Sequence, residues 1–253
     1  MPDPTPVHTD RRRAQAFGAV ALDYDRYRPR YPQALITRIV PRPGVRVLDV
    51  GAGTGISSMQ LAGAGARVLA IEPDDRMADV CAAKGITVER GLFEEWDPAG
   101  RRYDTVVFGQ SFHWVQPGPA LAKIAGLLTE GGSLVLMWNR VAPATPSHAD
   151  LAAIYADYPT AAPSSPNDPD GEAAVIGEIE SHGFRIERAE FEEQLHYSTD
   201  DWVHMVSTNS NHLILQTAQR TELSERLTAF IGPAGVSAHN RALALFCTTH
   251  QAG

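Results

Sequence analysis

Nine consecutive residues, Val47-Leu48-Asp49-Val50-Gly51-Ala52-Gly53-Thr54-Gly55, join an apolar strand pattern to three alternate glycines. A strand that runs straight into such a turn lets the backbone bend tightly and approach a ligand with no Cβ in the way. A helix leading away from the turn offers free N–H groups and the positive end of its dipole, suited to a carboxylate or phosphate. The second chemical signal is Glu72, which ends the apolar run Val68-Leu69-Ala70-Ile71. It follows the turn by the ~20 residues that separate a phosphate loop from its ribose-binding acid. A carboxylate there can accept two hydrogen bonds from vicinal ribose hydroxyls; the plainer alternative is an exposed loop charge. Asp49 stays open between bracing the turn and reaching a ligand's amino group.

A dinucleotide turn reads GxGxxG and places its third glycine at position 56, where Ile56 stands. The alternate spacing therefore favours S-adenosylmethionine (SAM) over a nicotinamide dinucleotide. Further along, Gln110-Ser111-Phe112-His113-Trp114 follows a fourth strand at the carboxyl edge of the sheet, where ligands bind in folds of this kind. His113 is the candidate general base, because imidazole titrates near neutrality; the competing reading is a structural histidine that shapes the pocket. Asn139 and Arg140 lie just beyond the fifth strand and point toward the same place. Arg140 suits either an acidic substrate or a surface ion pair. Trp202, His204, Met205, Ser207, Thr208 and His212 form one polar-aromatic stretch. Trp202, Met205 and His212 are substrate candidates there, with cap core as the alternative for Trp202. His196, His204 and His212 recur every eight residues, which does not align them on a straight helix. With no Asp/Glu/His cluster beside them, no metal is expected.

The elements that must position these groups alternate regularly. Strands are expected at Val45–Val50, Arg67–Ile71, Ile86–Glu89, Tyr103–Phe108 and Ser133–Trp138. Helices fall between them at Ile56–Ala64, Asp74–Lys84 and Pro119–Leu128. Short apolar strands alternating with helices of about ten residues indicate a parallel sheet covered on both faces, an α/β Rossmann-like doubly wound fold. Ahead of it, residues 1–13 read as a disordered leader. A helix from Arg13 to Tyr27 and a second one over Gln33–Val40 flank the breaker Arg28-Pro29-Arg30-Tyr31-Pro32. The Pro-rich stretch 142–170 reads as a mobile loop with a helix near Asp150–Asp157. Glu172–His182 is then helical, Phe184–Gln194 an edge-type strand, Trp202–Ile231 mostly helical, and Asn240–Thr248 closes the sheet. Residues 141–170 and 197–235 are expected to cap the strand ends, within one domain spanning 1–253.

With 22 basic and 30 acidic residues the net charge is -8, the wrong sign for a protein that grips nucleic acid through phosphates. Cys81 and Cys247 lack CxxC or Cys/His spacing, which suits a reducing cytoplasm better than a disulfide framework. The N-terminus has no apolar core of a secretory signal, and the apolar run Leu134–Trp138 is too short to span a bilayer. A cytoplasmic, soluble protein without membrane or nucleic-acid partners is expected, as monomer or homodimer.

VLDVGAGTG, AIEPDDRM, GLFEEW and YDTVVFGQSFHWV, with the leader YDRYRPRYP, resemble the class I SAM-dependent methyltransferases of the trans-aconitate methyltransferase-like group. The resemblance covers residues 14–140, and TDDWVHMVSTNSNH resembles the cap of that group more loosely. It implies a seven-stranded, mostly parallel sheet with a reversed last strand and a helical cap. It implies that Gly51, Ala52, Gly53, Thr54 and Gly55 face the methionine part of SAM, while Glu72 holds the ribose. Pro73 and Met77 would pack on the adenine, with Leu92, Phe93 and Glu94 at its edge. Gln110 would sit beside the sulfonium, Arg28 would reach the methionine carboxylate, and Tyr24 would overhang the methyl group. Tyr24 and Trp114 could also stabilise the cation through their ring faces. The implied reaction moves a methyl from SAM to O, N or C of a small metabolite, such as a carboxylate or a biosynthetic intermediate. Base methylation of nucleic acid is disfavoured, because strand four leads into Gly109-Gln110-Ser111-Phe112 and not Asn/Asp-Pro-Pro-aromatic. Rival readings are a SAM-binding protein without transfer activity and an NAD-dependent oxidoreductase.

Overall fold

Val47, Leu48 and Val50 are almost wholly buried, as a strand covered on both faces requires. They build β1 (Arg46–Val50), and similar runs build β2 (Arg67–Glu72), β3 (Thr87–Arg90), β4 (Tyr103–Gly109) and β5 (Leu128–Trp138). These five pair in parallel in the order β3-β2-β1-β4-β5. The order reverses between β1 and β4, so the loops leaving those two strands diverge and open a crevice beyond their carboxyl ends. The computed structural model behind this description covers residues 18, 20–161 and 169–249.

Helices α1 (Ala21–Tyr27), α2 (Gln33–Ile39), α3 (Ile56–Gly63), α4 (Asp75–Ala83) and α5 (Pro117–Leu127) accompany those strands. The strands send alternate residues into two cores. Leu48, Phe108, Leu134 and Leu136 pack beside α5 residues such as Leu121 and Ile124. Val47, Val107, Val135 and Met137 face the opposite way, toward Leu35 and Ile36 of α2 and Leu61 of α3. Period-two alternation thus appears within strands whose sequence reads as one apolar run.

Three more strands complete the sheet: β6 (Val141–Thr145), β7 (Phe184–Tyr197) and β8 (Val236–Thr249). β8 runs antiparallel to β5 through Ser133–Trp138, so the reversed last strand is present. β7 pairs along the whole of its other edge. Among the described residues the sheet therefore has eight strands, one more than the seven expected, because β6 continues the β5 edge of β8 over Ser237–Asn240. This corrects the expectation of a loop from residue 142. Pro143 suggests a loop by its missing N–H, yet β6 pairs on one side only, and an edge strand tolerates proline. The expected third strand shifts to Thr87–Arg90, β5 begins at Leu128, and β7 and β8 extend past their expected ends.

Helices α6 (His148–Tyr155), α7 (Pro169–Ser181), α8 (Thr199–Ser207), α9 (Ser210–Leu213) and α10 (Thr217–Ile231) follow in chain order. A separate apolar cluster joins Leu151 and Tyr155 of α6 to Trp202 and Met205 of α8 and Leu223 and Leu227 of α10. That cluster is the cap. The expected leader, the start of the helix expected from Arg13 and residues 162–168 lie outside the described residues. Among the described residues no helix is long and apolar enough to cross a membrane.

Candidate functional site

The glycine turn is hooked to the neighbouring strand at both ends. Gly51 and Ala52 donate their N–H groups to the Ile71 carbonyl at 2.9 and 3.1 Å. Gly53 donates to Glu72 Oε2 at 2.7 Å, and Asp74 donates to Glu72 Oε1 at 2.9 Å. The acid at the end of β2 therefore holds the turn after β1, and each of its oxygens keeps a lone pair for a ligand. Glu72 is buried, and that burial pushes its carboxyl from 4.5 up to about 7 despite the two N–H donors. Gly51 has φ +65°, and a Cβ there would stand 2.7 Å from Ser111 Cβ. Ser111 in turn donates its hydroxyl to the Val50 carbonyl at 2.6 Å, fastening the loop after β4 to the end of β1.

Asp49 lies behind the turn. Its Oδ2 accepts the hydroxyls of Ser57 and Ser58, both at 2.6 Å, so it braces the first turn of α3. Burial raises its pKa, against the lowering effect of those hydroxyls. The bracing alternative is the one the geometry carries, because Asp49 does not line the cavity. Thr54 and Gly55 also stand back from it: Thr54 is buried with its carbonyl accepting from Lys84 Nζ at 2.9 Å, and Gly55 caps α3.

A cavity of about 1360 Å³ opens at the carboxyl ends of β1, β2, β4 and β5 and extends under the cap. Tyr24, Arg28, Gly51, Ala52, Gly53, Glu72, Pro73, Met77, Leu92, Phe93, Glu94 and Gln110 all line it. So do His113, Trp114, Asn139, Arg140, Trp202 and Met205. Most of the residues singled out by sequence thus converge on one space. Gln110 holds φ +56°, an unusual conformation for a side-chain-bearing residue, while its N–H donates to the Met137 carbonyl at 2.9 Å. Such strain persists where the surroundings over-determine it, and here it falls on a residue of the cavity wall.

Several partners differ from expectation. Arg28 donates Nε to Thr208 Oγ1 at 2.9 Å and Nη2 to the Thr208 carbonyl at 3.0 Å, tying the leader to the end of α8. Arg140 pairs with Glu172 at 2.9 Å in a largely buried contact, which is the ion-pair alternative in the cavity wall and not on the surface. Asn139 is occupied as a scaffold: Nδ2 donates to the Pro29 and Arg30 carbonyls at 3.2 and 3.3 Å, and Oδ1 accepts from Asn240 at 2.8 Å. Asn139 thus lines the cavity while its side chain ties the leader to β8. Replacing Asn139 by leucine should strand the buried Asn240 amide and destabilise the fold by about 1–3 kcal/mol, read by urea titration. A change below about 0.5 kcal/mol would mean that water serves those groups equally well. The placement of His212 among substrate contacts is corrected: it is buried, packs edge-on against Tyr155 with centroids 5.8 Å apart, and does not line the cavity.

His113 is a solvent-exposed residue of the cavity wall, with protein close enough around it to weaken its hydration. That desolvation lowers its pKa below the usual imidazole value, and its ring lies 4.8 Å from that of Trp114. Sequence reasoning missed Tyr31, Ser57, Ser111 and Glu172, all of which line the cavity. Tyr31 could have been found in the RPRYP segment, since a tyrosine between prolines beside a binding arginine is well placed for the cleft. Ser57 follows from the helix expected at Ile56, whose first turn must face the strand-one acid.

The fold and the cleft define a doubly wound α/β domain with its cavity at the strand-order reversal, the place where ligands bind in folds of this kind. Residues 24–163, more than half of the chain, match the methyltransferase domain family, and the chain belongs to it. An uncharacterized methyltransferase of Mycobacterium tuberculosis is 40% identical over 126 residues, 49% of this chain and 52% of the relative. The chain thus spans about half the length of such curated relatives. A putative type II methyltransferase of Anaeromyxobacter dehalogenans superposes with a TM-score of 0.63 at 20% identity, covering 88% of this chain and 98% of that one. A phosphoethanolamine N-methyltransferase of Haemonchus contortus, in complex with phosphomonomethylethanolamine and S-adenosylhomocysteine, does so with a TM-score of 0.55 at 14% identity. That alignment covers 99% of this chain and 62% of the other. At such identities the structural likeness speaks for the fold alone.

Proposed function

We propose that this chain is a SAM-dependent methyltransferase of the trans-aconitate methyltransferase-like group, acting on a small molecule held under the cap. The observation that carries the reading is the bond from Gly53 N–H to Glu72 Oε2, which fixes turn and acid as two walls of one cavity. The residues present fit SAM. The spare lone pairs of Glu72 suit two ribose hydroxyls, and Pro73, Met77 and Phe93 offer an apolar slot for the adenine. The glycine turn and the start of α3 suit the methionine end, with the remaining N–H donors of Arg28 for its carboxylate.

When bound, that cofactor supplies a methyl group already activated by its sulfonium charge. What the chain must add is mainly alignment, which can account for a large share of a rate enhancement. Gln110 and Tyr24 border the place where the methyl would lie, and the cap closes the acceptor side. His113 faces this space, and in its neutral form it can accept a proton from an acceptor group.

Three measurements test these roles. Calorimetry with S-adenosylhomocysteine should show binding, and with SAM in its place S-adenosylhomocysteine should be released only when an acceptor is supplied; binding without turnover on any acceptor would instead favour a non-catalytic SAM-binding protein. His113→Ala should lower turnover by about a hundredfold while leaving cofactor affinity nearly intact. The wild-type rate should show no acid limb at the usual imidazole pKa, because the ring's pKa is depressed. Normal turnover in His113→Ala would leave the residue a scaffold.

A further inference from the structure

The cavity is larger than one ligand requires. Its volume of about 1360 Å³ exceeds the roughly 300–1,000 Å³ that encloses a drug-sized molecule. Space of comparable bulk therefore remains beyond the half bounded by the glycine turn and Glu72. The apolar part of that remaining wall is Trp138 from β5, Leu151 and Tyr155 from α6, Trp202 and Met205 from α8, and Leu243 from β8, with the neutral polar side chains of Asn209 and Ser210 and the His148 ring at its border. Of the apolar residues, all but Trp138 are buried in the cap or sheet cores.

The cations that border this half are already engaged within the protein. Arg140 pairs with Glu172, which Arg188 holds from its other oxygen. Arg28 gives two donors to the neutral oxygens of Thr208, and its remaining donors are those assigned above to the methionine carboxylate. The carboxylates of Glu94 and Glu95 line the same cavity and add negative charge. An anionic acceptor entering here would give up its hydration and find Arg140 already paired and the remaining donors of Arg28 given, in the reading above, to the cofactor's own carboxylate. Transfer of a bare carboxylate into such surroundings is strongly unfavourable, whereas each buried ring gains by leaving water.

We infer that the acceptor half takes a bulky, uncharged, ring-bearing molecule and discriminates against anions, which excludes the carboxylate acceptors that the family resemblance allows. The inference rests on the reading that the glycine-turn half holds the cofactor.

The test is calorimetry on the full chain saturated with S-adenosylhomocysteine, titrated at neutral pH with 2-naphthol, 2-naphthoate and phenol. Naphthol should bind at least about tenfold more tightly than naphthoate, which matches it in size but carries a charge. It should also exceed phenol by about tenfold, since phenol buries one ring fewer. Trp138→Ala and, independently, Met205→Ala should each weaken naphthol binding by about fivefold or more, placing the probe in this half of the cavity. Naphthoate binding as well as naphthol, phenol matching naphthol, no binding of any probe, or indifference to both substitutions would each overturn the inference. The heat of S-adenosylhomocysteine binding is read first and separately. Its absence would remove the cofactor reading, while the naphthol and naphthoate titrations would still report on the cavity's preference for uncharged rings.

Discussion

Glu72→Ala is expected to weaken S-adenosylhomocysteine binding by well over about tenfold in calorimetry. The substitution removes the acceptor for two potential ribose hydroxyls and also releases the Gly53 and Asp74 N–H groups. Each buried donor left without a partner costs about 1–3 kcal/mol, so the turn should lose its set conformation as well as its ligand contact. Glu72→Gln separates the two effects, because the amide keeps one oxygen acceptor but turns a donor toward one of the two N–H groups. A loss below twofold in the alanine variant would remove the ribose assignment.

The pH dependence gives a second reading of the same group. Burial raises the Glu72 carboxyl from 4.5 to about 7, so the ligand-free folded protein holds a proton that the unfolded chain releases. Its contribution to stability is whole below about pH 4.5 and is lost as the pH rises through 7. A ligand that donates hydroxyls to the carboxylate selects the ionised form, so affinity should move the opposite way. It should rise about tenfold per pH unit up to neutrality and level off above it. In Glu72→Gln that slope should vanish. Equal slopes in the two proteins would assign the titration to another group.

The parts of this architecture that sequence made legible are those where a local pattern has one physical solution. The run from Val47 to Gly55 can satisfy its buried side chains and its glycines only as a strand ending in a tight turn, and that is where they lie. Glu72 was readable because an acid ending a buried strand must find donors. The identity of those donors, Gly53 and Asp74, depends on the register of β1 against β2 and was not readable. β6 was hidden by Pro143, whose tolerance depends on an edge position that only the completed sheet defines. Asn139, Arg140 and His212 illustrate a different limit. Their residue types suit a substrate, but their partners Asn240, Glu172 and Tyr155 come from segments distant in sequence, and those partners decide their use. The positive φ of Gln110 had no sequence signal, since glutamine does not favour it.

Gly55→Ala should be the most damaging small substitution in the turn, and the reason is separable into two parts. Gly55 adopts φ +82°, a left-handed conformation that costs an alanine about 1–2 kcal/mol. A Cβ there would also stand 2.5 Å from Cys81 Sγ, with the Cys81 backbone Cα at 3.5 Å. Cys81 is fully buried in α4, so its thiol has no solvent to swing into, and overpacking of this sort adds about 1–3 kcal/mol. The summed loss of about 2–5 kcal/mol corresponds to a fall in Tm of about 5–15 °C for a chain of this size. Cys81→Ala removes the sulfur and leaves its Cβ 3.3 Å from the added methyl, so the double variant should recover the steric part and keep the conformational part. A double-mutant cycle should therefore show a favourable coupling of about 1–3 kcal/mol. Gly53→Ala is the internal control: its φ is +58° with nothing within 4 Å of a Cβ, so only the conformational cost applies. If Gly55→Ala and Cys81→Ala prove additive, the turn does not seat against α4, and the anchoring of the ligand loop through that helix is wrong.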